Sequence, residues 1–291
     1  MPPRFTILLP LIRPPVYLPL ALESVRAQSI QDFEVFIVSD GAPQETLDYA
    51  LAQERLDARI RCFSFPKGER FGEAHWHTAL TDARGRYVVH LEDDDLWFPN
   101  HLEEIEALLS SVDFGHTLHT WLHADGRVET LLSDISNPEF RNRFLTEKFN
   151  RIGYSVCGYR LEAYRRLPKG WGPAPKDVWT DVHMWRRFFR TEGMTFGTRM
   201  AITAVVMADH RRRHSAMEER IEANRSAWKR VADTGERAKL VEAAWASVVG
   251  AGLAHEHAAS AARKELEKVG EAVRVALDGR EAANEAPEQA P

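Results

Sequence analysis

The feature that most restricts the fold is an alternation, across the first 111 residues, of short apolar runs with amphipathic stretches of helical length. Phe5-Thr6-Ile7-Leu8-Leu9 has the near-continuous apolar character of a strand buried on both faces, Phe33 to Val38 reads as a second buried strand, and Ile60 to Phe65 and Tyr87-Val88-Val89-His90-Leu91 read as a third and a fourth strand. Between them, Tyr17 to Gln28 places Leu18, Ala21, Leu22 and Val25 on one helical face, and Pro43 to Arg55 and Gly72 to Ala83 read as two further helices. Pro99 opens a fourth helix to about Ser111, since proline is favoured in a first helical turn. Strands joined by helices of this length imply right-handed crossovers. They give a Rossmann-like α/β layer structure with a mainly parallel sheet. Ligands of such sheets bind outside the carboxyl ends of the strands. Asp40 follows the second strand and Glu92-Asp93-Asp94-Asp95 follows the fourth, so both are expected at one edge.

After residue 111 the pattern changes. Thr117 to His123 and Arg127 to Leu132 read as a hairpin around Asp125-Gly126. Asn137-Pro138 opens an irregular polar stretch, Gly153 to Tyr159 and Thr195 to Met207 read as strands, and Thr180 to Arg190 reads as a helix. From Ala216 the chain is Ala-rich, charged and helical. The expected organisation is a main domain over residues 1–215, divided into a ligand-binding half (1–111) and a second half (112–215). A helical extension (216–281) and a polar, disordered tail (282–291) follow. The extension is a candidate homodimer interface.

Several classes are excluded. The apolar stretch Phe5 to Leu22 is interrupted by Arg13, Pro10, Pro14, Pro15 and Pro19, so it reads as neither signal peptide nor membrane span. Cys62 and Cys157 lie in apolar stretches without CxxC spacing; a disulfide framework and a structural zinc site are ruled out, and a cytoplasmic location is expected. Peripheral attachment at the inner membrane face stays open. A formal net charge of -5 argues against nucleic acid as a partner, and the run Arg211-Arg212-Arg213 is too short to reverse that.

Four consecutive acids at a strand end repel one another, and burying them calls for a cation. Hard ions such as Mn2+ or Mg2+ take oxygen ligands, and Mg2+ uses only one or two carboxylates when substrate phosphates complete its shell. A solvated acidic loop, or a cap for the following helix, is the alternative; the apolar Leu96-Trp97-Phe98-Pro99 directly behind the acids favours the metal site. Asp40 is either a turn former within Ser39-Asp40-Gly41 or a grip on a base or ribose.

Phe5 to Pro10, Leu20 to Gln28 and Asp32 to Gly41, together with Ala83-Arg84-Gly85-Arg86-Tyr87 and Leu91 to Pro99, resemble the family-2 glycosyltransferases in order and spacing. The resemblance covers about the first 110 residues well and is weaker beyond. It implies a GT-A fold, a nucleotide-sugar donor carrying UDP, a saccharide or glycoconjugate acceptor and inversion at the anomeric carbon. By position it makes Asp40 the acceptor of a nucleobase hydrogen bond and the acidic cluster a DxD-type motif. Asp94 and Glu92 then hold the metal, Asp93 and Asp95 lie near the donor sugar or ribose, and Pro10 and Arg70 are further donor-site candidates. Apart from the resemblance, His210 follows the last expected strand and is either a further metal ligand or part of a solvated basic helix start. Two departures stand out: Glu92 occupies a place usually held by Asp, and Trp76-His77 replaces Arg-Asn. Lys67, Arg70, His75 and His77 are the replacement candidates for donor contacts.

An inverting transferase needs a general base for the acceptor hydroxyl. The family places it on a helix of the second half. Asp181, in Asp177-Val178-Trp179-Thr180-Asp181, is the choice, with Asp177 in reserve and a helix-capping acid as the alternative role. One of Trp171, Trp179 and Trp185 is expected to face the acceptor sugar. Three rival readings remain, one of them a helical assembly protein whose business is the C-terminal region. A sugar nucleotidyltransferase would carry a Gly-rich basic loop after the first strand, where this chain has Leu11-Ile12-Arg13-Pro14-Pro15. A non-catalytic nucleotide-sugar binding module would need no base.

Overall fold

The computed structural model describes residues 2–123, 125–207 and 212–284. The first half runs β1 (Phe5–Leu11), α1 (Leu18–Arg26), β2 (Phe33–Asp40), α2 (Gln44–Leu56), β3 (Ile60–Phe65), α3 (Glu73–Leu80) and β4 (Tyr87–His90). These strands pair in parallel in the order β3-β2-β1-β4, with Leu8 opposite both Phe36 and His90. The expected parallel sheet is present, and β2 and β4 both deliver their carboxyl ends to one edge.

Alternate side chains of each strand enter different cores, as the two-residue repeat of a strand requires. Leu8, Phe36, Val38 and Val88 pack with Trp76, Ala79 and Leu80 of α3. Ile7, Leu9, Val35, Ile37 and Val89 pack with Leu18, Ala21, Leu22 and Val25 of α1. The opposite edge of the sheet is locked by the buried Glu34, whose carboxylate accepts from Thr6 Oγ1 (2.7 Å), Arg84 N (2.8 Å) and Arg84 Nη2 (2.9 Å). Gly85 is required there because a Cβ would lie 2.3 Å from Thr6 N. That is a structural reason for the Ala83-Arg84-Gly85 motif.

The second half runs β5 (Leu96–Trp97), α4 (His101–Leu109), β6 (Phe114–Leu122), β7 (Val128–Glu129), α5 (Pro138–Thr146), β8 (Cys157–Arg160), α6 (Leu161–Arg165), α7 (Thr180–Arg190) and β9 (Phe196–Val206). β8 pairs antiparallel with β4 and β6, β9 pairs parallel with β6 and antiparallel with β5, and β7 pairs with β6 in the expected hairpin. The completed sheet is therefore mixed.

Two expectations are corrected. The stretch after Asn137 is not irregular but forms α5: the Asn137 side-chain oxygen accepts from Glu139 N (2.8 Å) and Phe140 N (3.3 Å), Pro138 occupies the first turn, and Phe144 is buried. The strand expected from Gly153 begins as a 3-10 turn at Tyr154–Val156, which shortens β8.

Two helices follow, α8 (Met217–Ala232) and α9 (Thr234–Asn284), and α8 packs on α1 and β5. One compact unit runs through Ala244 and another starts at Trp245. The tail expected from 282 is helical through Asn284, and the rest of it lies outside the described residues. No helix among the described residues is long and apolar enough to cross a membrane.

Candidate active site

Asp40, the last residue of β2, is fully buried. Gly68 N donates to its Oδ1 (2.6 Å), the Lys67 ammonium pairs with its Oδ2, and His75 Nε2 lies 3.5 Å from Oδ1. A carboxylate has about four acceptor sites, so each oxygen retains capacity for a further donor. The loop reaches this close because Gly72 adopts a φ of 78°, and a Cβ there would stand 2.5 Å from Asp40 Cγ. Arg70, with a φ of 56°, turns its guanidinium to the carbonyls of Val178 (3.1 Å) and Lys176 (3.5 Å). The buried Glu73 accepts from Thr180 Oγ1 (2.7 Å) and Phe71 N (3.1 Å). The loop beneath Asp40 is thus stitched to the approach to α7. His75 stacks on Phe65 with centroids 4.4 Å apart, and His77 bonds the Tyr164 hydroxyl (2.7 Å). Pro10 is half-buried near the end of β1, on the same edge.

At the carboxyl end of β4, Asp93, Asp94 and Asp95 are buried and Glu92 is partly open. Arg13, in the turn after β1, lies 3.1 Å from Asp93 Oδ1 and 3.6 Å from Asp94 Oδ1. Ser155 Oγ donates to Asp95 Oδ2 (2.6 Å) and accepts from Glu92 N (3.0 Å), while its carbonyl accepts from the Trp97 indole (2.6 Å). Met207 N donates to Asp95 Oδ1 (2.9 Å), and Asn224 Nδ2 of α8 donates to the Asp94 carbonyl (2.8 Å).

Burial, and then the charge of Asp94, pushes the Asp95 carboxyl up to about 8 against the pull of Ser155 and Met207. Burial, followed by Asp95 and Asp94, raises Glu92 well above the usual carboxylate range. In both cases burial and the neighbouring acids disfavour the ionised form. Among the described residues, no three His, Cys, Asp or Glu side chains form a self-sufficient metal cage. The all-oxygen donor set fits a hard cation whose shell is completed by phosphate and water. His210, expected as a further ligand, lies outside the described residues.

Asp181 occupies the first turn of α7 and is partly buried. Burial lifts its carboxyl to about 6, opposed by hydrogen bonds from Val182 N (2.8 Å) and Asn150 Nδ2 (2.5 Å). Asp177 is exposed in the preceding loop. Trp171 and Trp185 are buried around His90, and of the three tryptophans only Trp179, 47% exposed, offers a face to solvent.

Asp40 and the acidic cluster therefore share one sheet edge, and the chain from Asn150 to Ser155 runs from Asp181 to Asp95. Sequence reasoning did not select Arg13, Asn150, Ser155 or Asn224. Arg13 carried a signal, as the lone charge in the Pro-rich turn after β1; the other three are polar residues without periodic context.

A model of glycosyl transferase family 2 matches residues 6–167. The succinoglycan biosynthesis protein ExoW of Rhizobium meliloti (strain 1021) is 33% identical over 102 residues, which are 34% of this chain and 32% of that protein. The match thus spans about a third of that relative. The GalNAc(5)-diNAcBac-PP-undecaprenol beta-1,3-glucosyltransferase of Campylobacter jejuni is 25% identical over 192 residues, 64% of this chain and 62% of that one. The crystal structure of S. aureus TarS 1-349 superposes with a TM-score of 0.56 at 14% identity, covering 70% of this chain and 60% of that chain. This likeness shows the GT-A fold. With the family model covering more than half of its length, the chain belongs to glycosyl transferase family 2.

Proposed function

We propose that the chain moves a sugar from a UDP-sugar to a hydroxyl of a saccharide or glycoconjugate, by a single displacement that inverts the anomeric carbon. The observation that carries this reading is Asp181, a carboxylate lifted to about 6 at the start of α7 and linked by the 150–155 segment to the acidic cluster. A base poised near neutrality suits proton abstraction from a hydroxyl. A TarS structure in complex with UDP-GlcNAc, with a TM-score of 0.51, supports UDP as the donor nucleotide.

Asp40 accepts a hydrogen bond from the nucleobase, while Pro10, Arg70, Asp93 and Asp95 line the donor. Asp94, Glu92 and His210 are the residues that would hold Mn2+ or Mg2+; when bound, the cation neutralises charge developing on the leaving diphosphate. Asp181 takes the proton of the acceptor hydroxyl as that oxygen bonds to the anomeric carbon. The bond from that carbon to the phosphate oxygen breaks, and the nucleoside diphosphate departs with the electron pair. Trp179 presents its ring to the acceptor sugar. The two free cysteines suit a reducing cytoplasm.

The test is a thermal-shift panel of UDP, GDP, dTDP and CDP, each with and without Mn2+, since a ligand of the folded state raises apparent stability. UDP with Mn2+ gives the largest rise. No shift with any nucleotide overturns the reading. Asp94→Ala should lose the metal-dependent rise, whereas Asp181→Asn should keep donor binding and lose transfer.

A further inference from the structure

The segment Asn150–Cys157 touches both ends of the proposed reaction centre. At one end Asn150 Nδ2 donates to Asp181 Oδ2 at 2.5 Å. At the other, Ser155 holds Asp95 and the Glu92 amide, and its carbonyl takes the Trp97 indole. Between them, Ile152 and Tyr154 are buried in the core shared with α3 and α7. The orientation of Asn150 is also fixed. Its Oδ1 accepts from Ile152 N (3.0 Å), which leaves the NH2 group as the only part of the amide able to face Asp181. A flip would present oxygen to a carboxylate and strand the Ile152 N–H.

We propose that Asn150 is a positioning residue for the reaction: it orients the Asp181 carboxylate and favours its ionised form, so that the base is charged when the acceptor hydroxyl arrives. This rests on the assignment of Asp181 as base. The physics is that of any donor to a carboxylate: a hydrogen bond to the charged form lowers its pKa, against the rise caused by burial. The surroundings leave that task to hydrogen bonds. Among the described residues, Tyr154 and Cys157 feel the charge of Asp181, and burial keeps both neutral. Glu73, on α3, is committed to Thr180 and the Phe71 amide. Among the described residues no cation contributes to the Asp181 shift; the groups that lower it are the Val182 amide, the Asn150 side chain and its own backbone amide.

The test uses the full chain, with 13C carboxyl titration of Asp-labelled protein; the Asp181 signal is the one that disappears in Asp181→Asn. Asn150→Asp keeps an oxygen for the Ile152 amide but replaces the donor with a second carboxylate. Asn150→Ala removes both groups. In the parent, Asp181 should titrate near 6. Both variants should raise that value by about one pH unit or more, Asn150→Asp the further, and the acid limb of kcat/KM should follow. That corresponds to roughly tenfold slower transfer on the acid side for each unit. An unchanged Asp181 titration in a variant that retains its fold overturns the proposal. If Asn150→Ala fails to fold, Asn150→Asp decides by the same criterion, and Asn150→Ser, which restores a small donor, should return the titration toward the parent value. The base assignment fails differently: transfer would survive Asp181→Asn, whatever the Asn150 variants do to the titration.

Discussion

Replacing Gly72 by alanine should displace the loop packed on Asp40, and the size of the effect follows from the geometry. Gly72 precedes α3 with a φ of 78°, a region that costs an L-residue about 1–2 kcal/mol. Its new Cβ would lie 2.5 Å from Asp40 Cγ, 2.6 Å from Asp40 Cβ and 2.9 Å from Oδ1. Asp40 has no room to yield, because its carboxylate is buried and pinned by Gly68 N and Lys67. Overpacking of this kind costs about 1–3 kcal/mol more. Gly126→Ala is the internal control: Gly126 has a φ of 83° but nothing within 4 Å of its Cβ position, so it carries only the backbone part. Urea unfolding followed by tryptophan fluorescence should therefore show Gly72→Ala losing about 2–5 kcal/mol and Gly126→Ala about 1–2 kcal/mol. The thermal shift given by UDP should fall only in the first. Equal stability losses at the two sites, or an unchanged nucleotide shift in Gly72→Ala, would refute the placement of the loop beneath Asp40.

Other outcomes follow from the same geometry. Ser155→Ala removes a donor from Asp95 and the acceptor of the Glu92 amide; urea unfolding should register a loss of about 1–3 kcal/mol, together with a fall in transfer rate. The raised carboxyls of Glu92 and Asp95 bind protons in the folded state that the unfolded chain has already released. Their contribution to metal-free stability is therefore complete below about pH 4 and declines toward the Asp95 value of about 8. A cation competes with those protons, so the gain in Tm from a fixed Mn2+ concentration should be larger at about pH 8 than at about pH 6; a pH-independent gain would count against the site. Trp179→Ala, at a half-exposed ring, should change stability by no more than about 0.5 kcal/mol while raising the acceptor KM.

The legible part of the fold was the part whose physics is local. β1, β2 and β4 are each buried on both faces, so continuous apolar runs announced them; β3 lies at the sheet edge with only Ile60 buried, and helical periodicity announced the crossovers. The second half is assembled by pairing at a distance. β5 is two residues long and exists because Leu96 and Trp97 meet Val205 and Ala204. β8 is four residues long and inserts antiparallel between β4 and β6. No periodicity can develop over two residues, whereas the strand expected over Gly153 to Tyr159 overlaps β8 and misses only where it begins. α5 differs from the stretch expected there: Asn137-Pro138 is a helix-start signal, but the polar residues that follow it read as irregular.

The site divides along the same line. Residues at strand ends, Asp40 and the acidic cluster, could be placed from sequence because a parallel sheet fixes where its carboxyl ends point. The residues that hold them could not, because each acts across a long sequence separation: Ser155 on Asp95, Asn150 on Asp181, Asn224 on the Asp94 carbonyl. The last of these changes how the C-terminal region should be regarded. A boundary at residue 215 treats the helices beyond it as an appendage, yet Asn224 is buried against the segment that carries Asp94, and α8 packs on α1 and β5. Cutting the chain before α8 would expose that packing and remove the Asn224 donor from the Asp94 carbonyl. Loss of activity in such a truncation would then report damage to the acidic cluster, and it could not be taken as a sign that the helices act through assembly. A single substitution, Asn224→Leu, which keeps the apolar contacts and removes the amide, separates the two contributions where deletion cannot.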